Sequence, residues 1–472
     1  MTVEFSKPLA AHPTPIPGVL LIDLPVHGDN RGWFKENWQQ EKMVALGLPD
    51  FGPVQNNISF NEKAGTTRGI HAEPWDKFIG VATGRIFGAW VDLREGPSFG
   101  TVFTAELDPS RAIFIPRGVG NAFQTLEDNT AYTYLVNDHW SADAQGQYTF
   151  LNLGDETAAI AWPIPLKDAE LSDKDRVHPR LADVTPMPRQ KTLVLGADGQ
   201  LGKALRGALG DTGAVEFAAR ADFDLTDPAA YSARNWNQYS TIINAAAFTA
   251  VDAAESPEGR AAAWNINTAA VAALAKVAAE HNITLVNVSS DYVFDGTRDE
   301  HPEDEPFSPL GVYGQTKAAG DAAVSVVPRH YTVRTSWVIG EGNNFVRTMA
   351  ALAQREIKPA VVNDQIGRLT FTKDLAAAIL HLLESHAPYG TYNVTNDGPA
   401  VSWAEIAADV YEFVGRSRTD VTGVSTAEYF QGKEAAPRPL NSMLPLDRIR
   451  DTGFSPRGMK DALEDYLAES LP

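Results

Sequence analysis

The chain has 472 residues with 40 Lys or Arg and 60 Asp or Glu, so its formal net charge is −20. This acidic balance argues against nucleic acid as a main partner and against attachment to anionic lipid, because both need a basic surface. The sequence has no cysteine, which rules out disulfides and Cys-bound metals and fits a reducing compartment. We expect a cytoplasmic protein, since the sequence also shows neither a signal-peptide pattern nor a membrane-spanning apolar run.

The first half of the chain has the pattern of an all-β domain. Gly, Pro, Asn and Asp interrupt residues 16–165 at intervals of about 8–12 residues, the spacing typical of sandwiches and barrels. The segments between these interruptions favour strands, and the clearest are Val19–Leu24, Lys77–Ala82, Ile86–Leu93, Thr101–Leu107, Ala112–Ile115 and Ala131–Val136. We therefore predict a β-sandwich or barrel.

A polar stretch with two prolines, Asp183–Lys191, predicts a linker. We place an N-terminal domain at residues 1–185, the linker at 186–190 and a C-terminal domain at 191–472. These boundaries follow from a change in sequence pattern on the two sides of the prolines.

The C-terminal half alternates between apolar and Ala-rich segments. Apolar runs at Thr192–Leu195, Thr241–Ala246 and Thr284–Val288 are separated by helical patterns such as Thr268–Glu280. This alternation predicts a parallel sheet covered by helices. The acidic run Arg298–Glu305 is predicted to be a solvated loop.

Glycines at Gly196, Gly199 and Gly202 follow the first strand of this half with the spacing G-x-x-G-x-x-G. Glycine lets the backbone turn tightly and approach a pyrophosphate, which the next helix N-terminus then faces. An ordinary tight turn would explain the spacing too, but its place in the first βαβ unit favours a dinucleotide. Arg220 ends the second strand, where an acidic residue would indicate NAD. NADPH is therefore favoured, with NADH open and a solvated arginine as the alternative.

Ser290, Tyr313 and Lys317 carry the chemistry predicted for this half. Tyr313 and Lys317 are spaced i, i+4 and would share one helix face, and Ser290 follows a strand. A nearby ammonium and the nicotinamide charge would lower the pKa of the phenol from its usual value near 10. The phenol could then exchange a proton with a carbonyl oxygen that the serine hydroxyl also binds.

On these residues, 191–472 resembles the extended short-chain dehydrogenase/reductases and, more narrowly, the dTDP-4-dehydrorhamnose reductases. The matching strings span nearly the whole domain and are Gly196–Gly202, Asn244–Asp252, Ser290–Phe294, Val312–Lys317, Arg334–Trp337, Asn343–Phe345, Asn363–Gly367 and Arg438–Ser442. The resemblance implies a Rossmann-like sheet with a small substrate-binding subdomain, and reduction of the C4 ketone of a nucleotide-linked deoxysugar. One departure is Leu369, where the family usually has proline.

The resemblance also implies roles for individual residues. Tyr313 would be the proton donor, Lys317 would position the ribose and lower the pKa of Tyr313, and Ser290 would replace the usual threonine. The residues expected around the cofactor are Gly196, Gly199, Gln200, Leu201, Gly202, Arg220, Asp224, Leu225, Ala247, Phe248 and Thr249. Those expected around the sugar nucleotide are Asp291, Tyr292, Trp337 and Arg438. The family also allows Mg²⁺ at a dimer contact, to which the sequence assigns no residues.

Strings in the first half resemble the dTDP-4-dehydrorhamnose 3,5-epimerases. They are Gly28–Glu36, Arg68–His71, Val91–Arg94, Phe114–Gly118 and Leu171–Asp175, within a match covering about residues 16–182. The resemblance implies an all-β jelly roll of the cupin type. Cupins often bind metal through a clustered H-x-H and a glutamate, which this sequence lacks, so no metal is predicted.

Epimerising a carbon next to a ketone needs a base, a group that holds the enolate, and an acid on the opposite face. His71 suits the base, and Asp175 would orient it as in the family's His–Asp dyad. Lys77 would stabilise the enolate oxygen, and Tyr134 would donate the proton. The nucleotide and its diphosphate would be held by Arg31, Phe34, Glu36, Asn57 and Arg68.

The chain departs from the epimerase pattern at three places. Asn121 replaces a second active-site histidine, and its amide can donate a hydrogen bond to an oxyanion but cannot carry a charge. The family's H-F-Q is His71-Ala-Glu73 here, and His139-Trp140 replaces an aromatic pair or E-Y. These differences predict an epimerisation that is slower or restricted to one carbon.

The combined hypothesis is a fusion of two consecutive enzymes of dTDP-L-rhamnose biosynthesis. The expected partners are dTDP-linked deoxysugars and a second copy of the chain, because cupin epimerases usually form dimers. One alternative is a reductase joined to a degenerate cupin that dimerises or binds substrate. The other is a nucleotide-binding regulatory subunit without activity.

Overall fold

The computed structural model describes residues 4–139, 146–210 and 212–470. Contacts within the chain divide it into two compact units, residues 1–189 and residues 190–472. Within the described ranges, no helix is both long enough and apolar enough to cross a membrane.

The first unit is almost entirely β-structure. Its elements are β1 (Ala10–Pro13), β2 (Leu20–Asp23), β3 (Val26–Asp29), β4 (Gly32–Lys35), α1 (Gln40–Ala45), β5 (Gln55–Asn61), β6 (Thr67–Ala72), β7 (Lys77–Thr83), β8 (Ile86–Asp92), β9 (Val102–Leu107), β10 (Arg111–Ile115), β11 (Val119–Thr125), β12 (Thr130–Val136), β13 (Thr149–Phe150) and α2 (Asp173–Arg176). The six predicted strand segments are confirmed by β2, β7, β8, β9, β10 and β12.

Two antiparallel sheets form the jelly roll of this unit. One has the strand order β1-β2-β10-β7-β12-β5, and the other has the order β13-β6-β11-β8-β9. Side chains from both sheets meet in one buried cluster that includes Ile79, Trp90, Ile113 and Phe123. The same inner faces also line a cavity: Phe123 is on its wall, and so is Lys77, which lies two residues before Ile79 and therefore faces the same side of β7.

The second unit alternates strands and helices. Its elements are β14 (Lys191–Leu195), α3 (Gln200–Leu209), β15 (Val215–Ala218), α4 (Pro228–Ala233), β16 (Tyr239–Asn244), α5 (Pro257–Trp264), α6 (Ala270–Glu280), β17 (Thr284–Ser290), α7 (Val312–Val324), β18 (His330–Thr335), β19 (Val338–Ile339), α8 (Phe345–Gln354), β20 (Ala360–Val362), β21 (Ile366–Gly367), β22 (Thr370–Phe371), α9 (Thr372–Glu384), β23 (Gly390–Asn393), β24 (Val401–Ser402), α10 (Trp403–Phe413), β25 (Thr422–Val424), α11 (Thr426–Tyr429), α12 (Asp447–Asp451) and α13 (Met459–Ser470).

A six-stranded parallel sheet with the order β15-β14-β16-β17-β18-β23 forms the centre of this unit. Leu274 on α6 and Val324 on α7 belong to the buried cluster on one face of the sheet. Leu205 on α3 and Ile379 on α9 belong to the cluster on the other face. The strand order reverses next to β14, and ligands of such sheets bind at the carboxyl ends of the strands beside that reversal.

A smaller subdomain is built from α8, α10 and α13, with its own core. Val346, Val410 and Leu467 come from these three helices and are fully buried or nearly so. This agrees with the small substrate-binding subdomain implied by the sequence resemblance.

The prediction of a solvated loop at Arg298–Glu305 is wrong for its central residues. The segment is irregular, but His301 is fully buried and stacks on Phe294 with ring centres 4.9 Å apart. His301 Nδ1 lies 3.0 Å from Glu305 Oε2, and Arg298 lies 3.5 Å from the same carboxylate. Pairing of opposite charges lets an acidic segment be buried, which a count of charges does not reveal.

Candidate active sites

His71 and Asp175 meet on one wall of a cavity of about 910 Å³ in the first unit. His71 lies on β6, and its Nε2 is 2.8 Å from Asp175 Oδ1. The side chain of Ser172 caps helix α2 by accepting a hydrogen bond from the Asp175 backbone, which places the carboxylate in the first turn. Burial acts to raise the pKa of Asp175, but the hydrogen bond and charge of His71, together with Ser172 and His178, outweigh it and the pKa is lowered. A carboxylate held in this way orients the imidazole and leaves its other nitrogen to act as a base.

His178 lies beside this dyad and was missed by the sequence analysis. Its ring stacks on Phe150 at 4.8 Å, and its Nε2 is 4.0 Å from Asp175 Oδ1. Burial lowers the pKa of His178, and the charge of His71 lowers it further. The potential ligand atoms of the two histidines and Asp175 all lie within 4.8 Å of one another. The hydrogen bond of the dyad already explains this grouping, so we assign no metal ligand, and the sequence-based expectation of no metal stays a prediction.

Lys77 and Tyr134 form another part of the cavity wall, on neighbouring strands β7 and β12. Lys77 Nζ lies 5.3 Å from the centre of the Tyr134 ring and 2.5 Å from Glu73 Oε1. Burial raises the pKa of Tyr134, and Glu73 raises it further, while Arg68 acts to lower it. Tyr134 is therefore protonated at neutral pH, which is the state that a proton donor requires.

Asn121 pairs with His71 across β11 and β6 and also faces the cavity. Its amide oxygen accepts a hydrogen bond from Trp90 at 3.0 Å, and its amide nitrogen donates to the Tyr132 hydroxyl at 3.1 Å. Both ends of the amide thus have protein partners. The substitution of a histidine by asparagine is accommodated without leaving a buried polar group unpaired.

Five of the predicted nucleotide-binding residues do not lie together in this structure. Arg68 lines the cavity, but four others are absent from its wall: Arg31, Phe34, Glu36 and Asn57. The Arg31 side chain is 84% exposed and pairs with Asp29, and Phe34 is 70% exposed on the β3–β4 hairpin. His139 is exposed, and Trp140 lies outside the described residues.

The glycine-rich turn of the second unit joins β14 to α3, as the sequence predicts. Gly196 has φ +78°, and a Cβ atom there would lie 2.7 Å from the backbone nitrogen of Ala246. A Cβ on Gly202 would overlap the Gly196 carbonyl and approach the Ala197 carbonyl carbon at 2.7 Å. Both positions therefore require glycine, Gly196 because the backbone after β16 lies against it and Gly202 because the first turn of α3 packs directly on the loop.

This turn borders a cavity of about 800 Å³ at the carboxyl ends of the strands. The predicted cofactor residues on its wall are Gly196, Gly199, Gln200, Leu201, Arg220, Asp224, Leu225, Ala247, Thr249, Tyr313 and Lys317. Arg220 is 77% exposed in its side chain and lies 3.3 Å from Asp224. Gly202 and Phe248 are not on the wall, and Phe248 instead exchanges two backbone hydrogen bonds with the Asn267 side chain.

Ser290, Tyr313 and Lys317 all lie on the wall of this cavity. Tyr313 and Lys317 lie one turn apart on α7, and Ser290 ends β17. Lys317 is 4% exposed, and its Nζ donates a hydrogen bond of 2.7 Å to the Val288 carbonyl. Burial lowers the pKa of Lys317, while the charge of Asp321 acts in the opposite direction.

Burial has the largest effect on the pKa of Tyr313, and the expectation that Lys317 lowers this pKa stays a prediction. Burial raises the pKa of Tyr313 to about 12, and only a hydrogen bond with Ser290 acts against it. The charges of Asp291 and Asp321 add to the increase. Desolvation of the phenolate therefore dominates, and Tyr313 is held protonated, which suits donation of a proton to a developing alkoxide.

Aromatic residues extend the cavity beyond this triad. Trp337 has φ +47°, and its ring stacks on Trp403 with centres 3.9 Å apart. A Cβ on Gly367 would lie 3.0 Å from the Trp337 ring, so the glycine leaves room for the indole. Tyr292 packs edge-on against Tyr313 at 5.4 Å. These rings form an aromatic wall of the cavity.

Two of the predicted sugar-nucleotide residues have protein partners. Burial raises the pKa of Asp291, which lines the cavity, to about 6, and its Oδ1 accepts a hydrogen bond of 3.0 Å from Ser290. Arg438 is not on the cavity wall, and its guanidinium lies 2.8 Å from Asp252. Leu369, the departure from the family's proline, is fully buried in the subdomain core and does not line the cavity.

The sequence analysis missed Trp403, which lines this cavity, and Asp321, whose charge acts on Tyr313 and Lys317. Asp321 lies four residues after Lys317 on α7, a spacing that the sequence contained, and its Oδ2 lies 3.1 Å from Arg334. Trp403 comes from the subdomain, far along the chain, and no local pattern marks it. Within residues 190–210 and 212–470, no group of three acidic or histidine side chains is arranged to hold a metal ion. No Mg²⁺ ligands are therefore assigned among these residues.

Comparison with known families agrees with this geometry. The sequence model of the family described as "RmlD substrate binding domain" matches residues 190–471, more than half of the chain. The chain belongs to the RmlD family. The model described as dTDP-4-dehydrorhamnose 3,5-epimerase matches residues 13–183, so the chain joins an epimerase-family unit to a reductase-family unit.

Individual relatives match each unit over nearly their whole length. The "Protein RmlC homolog" of Streptococcus pyogenes serotype M6 is 50% identical over 189 residues, which cover 39% of this chain and 95% of that protein. The dTDP-4-dehydrorhamnose reductase of Aggregatibacter actinomycetemcomitans is 36% identical over 295 residues, covering 59% of this chain and 98% of that protein. The crystal structure of the Bacillus anthracis dTDP-4-dehydrorhamnose reductase in complex with NADP is 32% identical. The match covers 60% of this chain and 100% of the chain in that structure, with a TM-score of 0.53. This similarity supports use of a nicotinamide cofactor.

The packing of the glycine-rich turn predicts the effect of Gly202→Ala. The added methyl would push α3 away from the turn, so we expect the affinity for NADPH to fall by about tenfold or more. Fluorescence titration with NADPH measures the effect. Gly207→Ala on the same helix is the control, because a Cβ there meets nothing within 4 Å and should leave the affinity unchanged. Equal affinities of the two variants would contradict the assignment of this turn.

Proposed function

We propose that this RmlC–RmlD fusion converts dTDP-4-dehydro-6-deoxy-D-glucose into dTDP-L-rhamnose in two steps. The first unit would epimerise C3 and C5 to give dTDP-4-dehydro-L-rhamnose, and the second would reduce the C4 ketone. The observation that carries the proposal is that each unit gathers a complete set of proton-transfer groups around one cavity. The names of the matched epimerase family and of the matched dTDP-4-dehydrorhamnose reductase correspond to these two steps.

In the epimerase cavity, the ketone at C4 makes the hydrogens on C3 and C5 acidic. His71 removes one of them, and Asp175 stabilises the imidazolium that forms, since its carboxylate lies 2.8 Å away. Lys77 donates a hydrogen bond to the enolate oxygen. Tyr134 then delivers a proton to the carbon from the opposite face, which inverts the configuration.

In the reductase cavity, Ser290 and Tyr313 bind the ketone oxygen of the epimerised sugar through their hydroxyl groups. The nicotinamide supplies the hydride to C4 when it is bound. Tyr313 gives its proton to the alkoxide oxygen, and Lys317 on the same helix face stabilises the phenolate that remains. The stacked Trp337 and Trp403 would position the sugar nucleotide and shield it from water.

The coupled reaction tests the function directly. With dTDP-4-dehydro-6-deoxy-D-glucose and NADPH, the purified chain should form dTDP-L-rhamnose and oxidise NADPH without an added epimerase. His71→Ala should lower this coupled rate by about 100-fold or more, because the general base is lost. Tyr313→Phe should lower it by about 100-fold or more as well, because the proton donor for the reduction is lost.

Mixing the two variants separates the steps. The Tyr313→Phe chain retains the epimerase cavity and the His71→Ala chain retains the reductase cavity, so the mixture should recover NADPH oxidation through the diffusing intermediate. An unchanged coupled rate in His71→Ala would favour a degenerate cupin joined to a working reductase. Full activity in Tyr313→Phe would overturn the reductase assignment.

We further propose that NADPH is the preferred nucleotide and that the protein works in the cytoplasm, where NADPH and nucleotide sugars are formed. Arg220 supports the first proposal, because its exposed guanidinium lies on the cavity wall where a 2′-phosphate would bind.

We also propose that the chain works as a homodimer. Edge strand β5 exposes Ile58 and Phe60 on one face, with 70% and 56% of their surfaces accessible. The β3–β4 hairpin carries Arg31 and Phe34 away from the cavity of its own chain. A second copy would cover the exposed strand, and its hairpin would supply the missing nucleotide contacts.

A complementation experiment tests this arrangement. Arg31→Ala and His71→Ala chains should each have little epimerase activity. Co-expression should restore activity, because a mixed dimer holds one site with both residues intact, about a quarter of all sites. Size-exclusion chromatography with light scattering measures the dimer. A monomer, or no restoration by co-expression, would refute the proposal.

A further inference from the structure

One charged residue of the epimerase cavity has no role in the steps described so far. Glu73 lies just after β6, and its Oε1 is 2.5 Å from Lys77 Nζ. The Glu73 and Lys77 side chains expose only 12% and 5% of their surfaces. The second carboxylate oxygen of Glu73, Oε2, is buried and has no hydrogen-bond partner among the described residues. Glutamate stands here where the epimerase pattern has glutamine.

The surroundings of this carboxylate consist mainly of groups that can gain or lose a proton. The charged and titratable side chains that face Glu73 or Tyr134 are Arg68, Lys77, Tyr132, Tyr134 and Tyr148. Burial raises the pKa of each of the three tyrosines, and the negative charge of Glu73 raises it further. Of these neighbours, Arg68 acts in the opposite direction on Tyr134.

The chemistry requires two of these neighbours to be protonated. Lys77 must carry its proton to donate to the enolate oxygen, and Tyr134 must carry its proton to deliver it to carbon. A buried ammonium that lacks a counter-ion loses its proton more readily, because burial disfavours its charged form. A phenol likewise ionises more readily when a nearby carboxylate is removed. One carboxylate therefore acts on both groups in the same direction.

We propose that Glu73 is a positioning residue whose ion pair fixes Lys77 Nζ beside the substrate ketone and whose charge favours the protonated form from which Tyr134 acts. This inference rests on the proposed epimerase function. The ion pair makes Lys77 a hydrogen-bond donor whose charge is already balanced. The enolate oxygen is then stabilised by a hydrogen bond from the Lys77 ammonium, whose position is fixed.

The variant Glu73→Gln tests the inference, because it keeps the size and an acceptor oxygen but removes the charge. The alkaline limb of the epimerase pH profile should move to lower pH by about one unit. The measurement is the uptake of solvent deuterium at C3 and C5 of the substrate, followed by NMR without NADPH, so that only the epimerase half of the reaction runs. Glu73→Asp keeps the charge and should retain the position of the limb, with a reduced rate because the shorter side chain shifts Lys77.

Glu106→Gln is the matched control, since this carboxylate pairs with Arg85 on the surface of the same unit and is absent from the cavity wall. It should leave both rate and profile unchanged. A Gln variant whose rate falls equally at every pH, or whose profile matches the wild type, would overturn the inference. Absence of deuterium uptake in the wild-type chain would instead refute the proposed epimerase function. If the Gln variant fails to fold, a shifted limb in Glu73→Asp would also overturn the role of the charge.

Discussion

A nearly buried ammonium lies in each of the two cavities, and the arrangement of both sites follows from the need to compensate its desolvation. Lys77 exposes 5% of its side chain and pairs with a carboxylate, whereas Lys317 is 4% exposed and donates to a backbone carbonyl. Moving an ammonium out of water costs several kcal/mol unless partners replace the lost hydration. Each site therefore contains an acceptor group that binds the lysine.

The two folds meet this requirement in different ways. In the jelly roll, Lys77 and Tyr134 come from neighbouring strands of one sheet and His71 comes from the other sheet, so both sheets contribute side chains to one cavity. In the Rossmann-like unit, a strand end supplies Ser290 and one face of α7 supplies Tyr313 and Lys317. The helix spacing fixes the distance between the latter two, whereas the carboxyl edge of the sheet supplies the serine.

Protonation links these geometries to function. Burial raises the pKa of both proposed proton donors, Tyr134 and Tyr313. Each therefore carries a proton at neutral pH, as a group that protonates carbon or an alkoxide must. The proposed base of the epimerase cavity, His71, is instead hydrogen-bonded to Asp175, and the lowered pKa of Asp175 keeps that carboxylate ionised. The tyrosines therefore carry protons that they can donate, whereas the carboxylate beside His71 is ready to stabilise the imidazolium that forms when His71 accepts one.

The sequence by itself determined the two fold classes, the reductase triad and most of the cofactor wall, because these depend on periodicity and on spacing within single elements. It predicted strands rich in β-branched and aromatic residues but missed β5, β6 and β11, whose Asn and Gly residues pair only because neighbouring strands supply hydrogen-bond partners. The tertiary structure alone decided that His178 joins the dyad, that Trp403 stacks on Trp337 and that His301 is buried. It also placed Arg31 and Phe34 outside the cavity and showed that burial raises the pKa of Tyr313. Contacts between distant segments and the loss of water around a side chain are properties of the folded chain, so spacing along the sequence does not encode them directly.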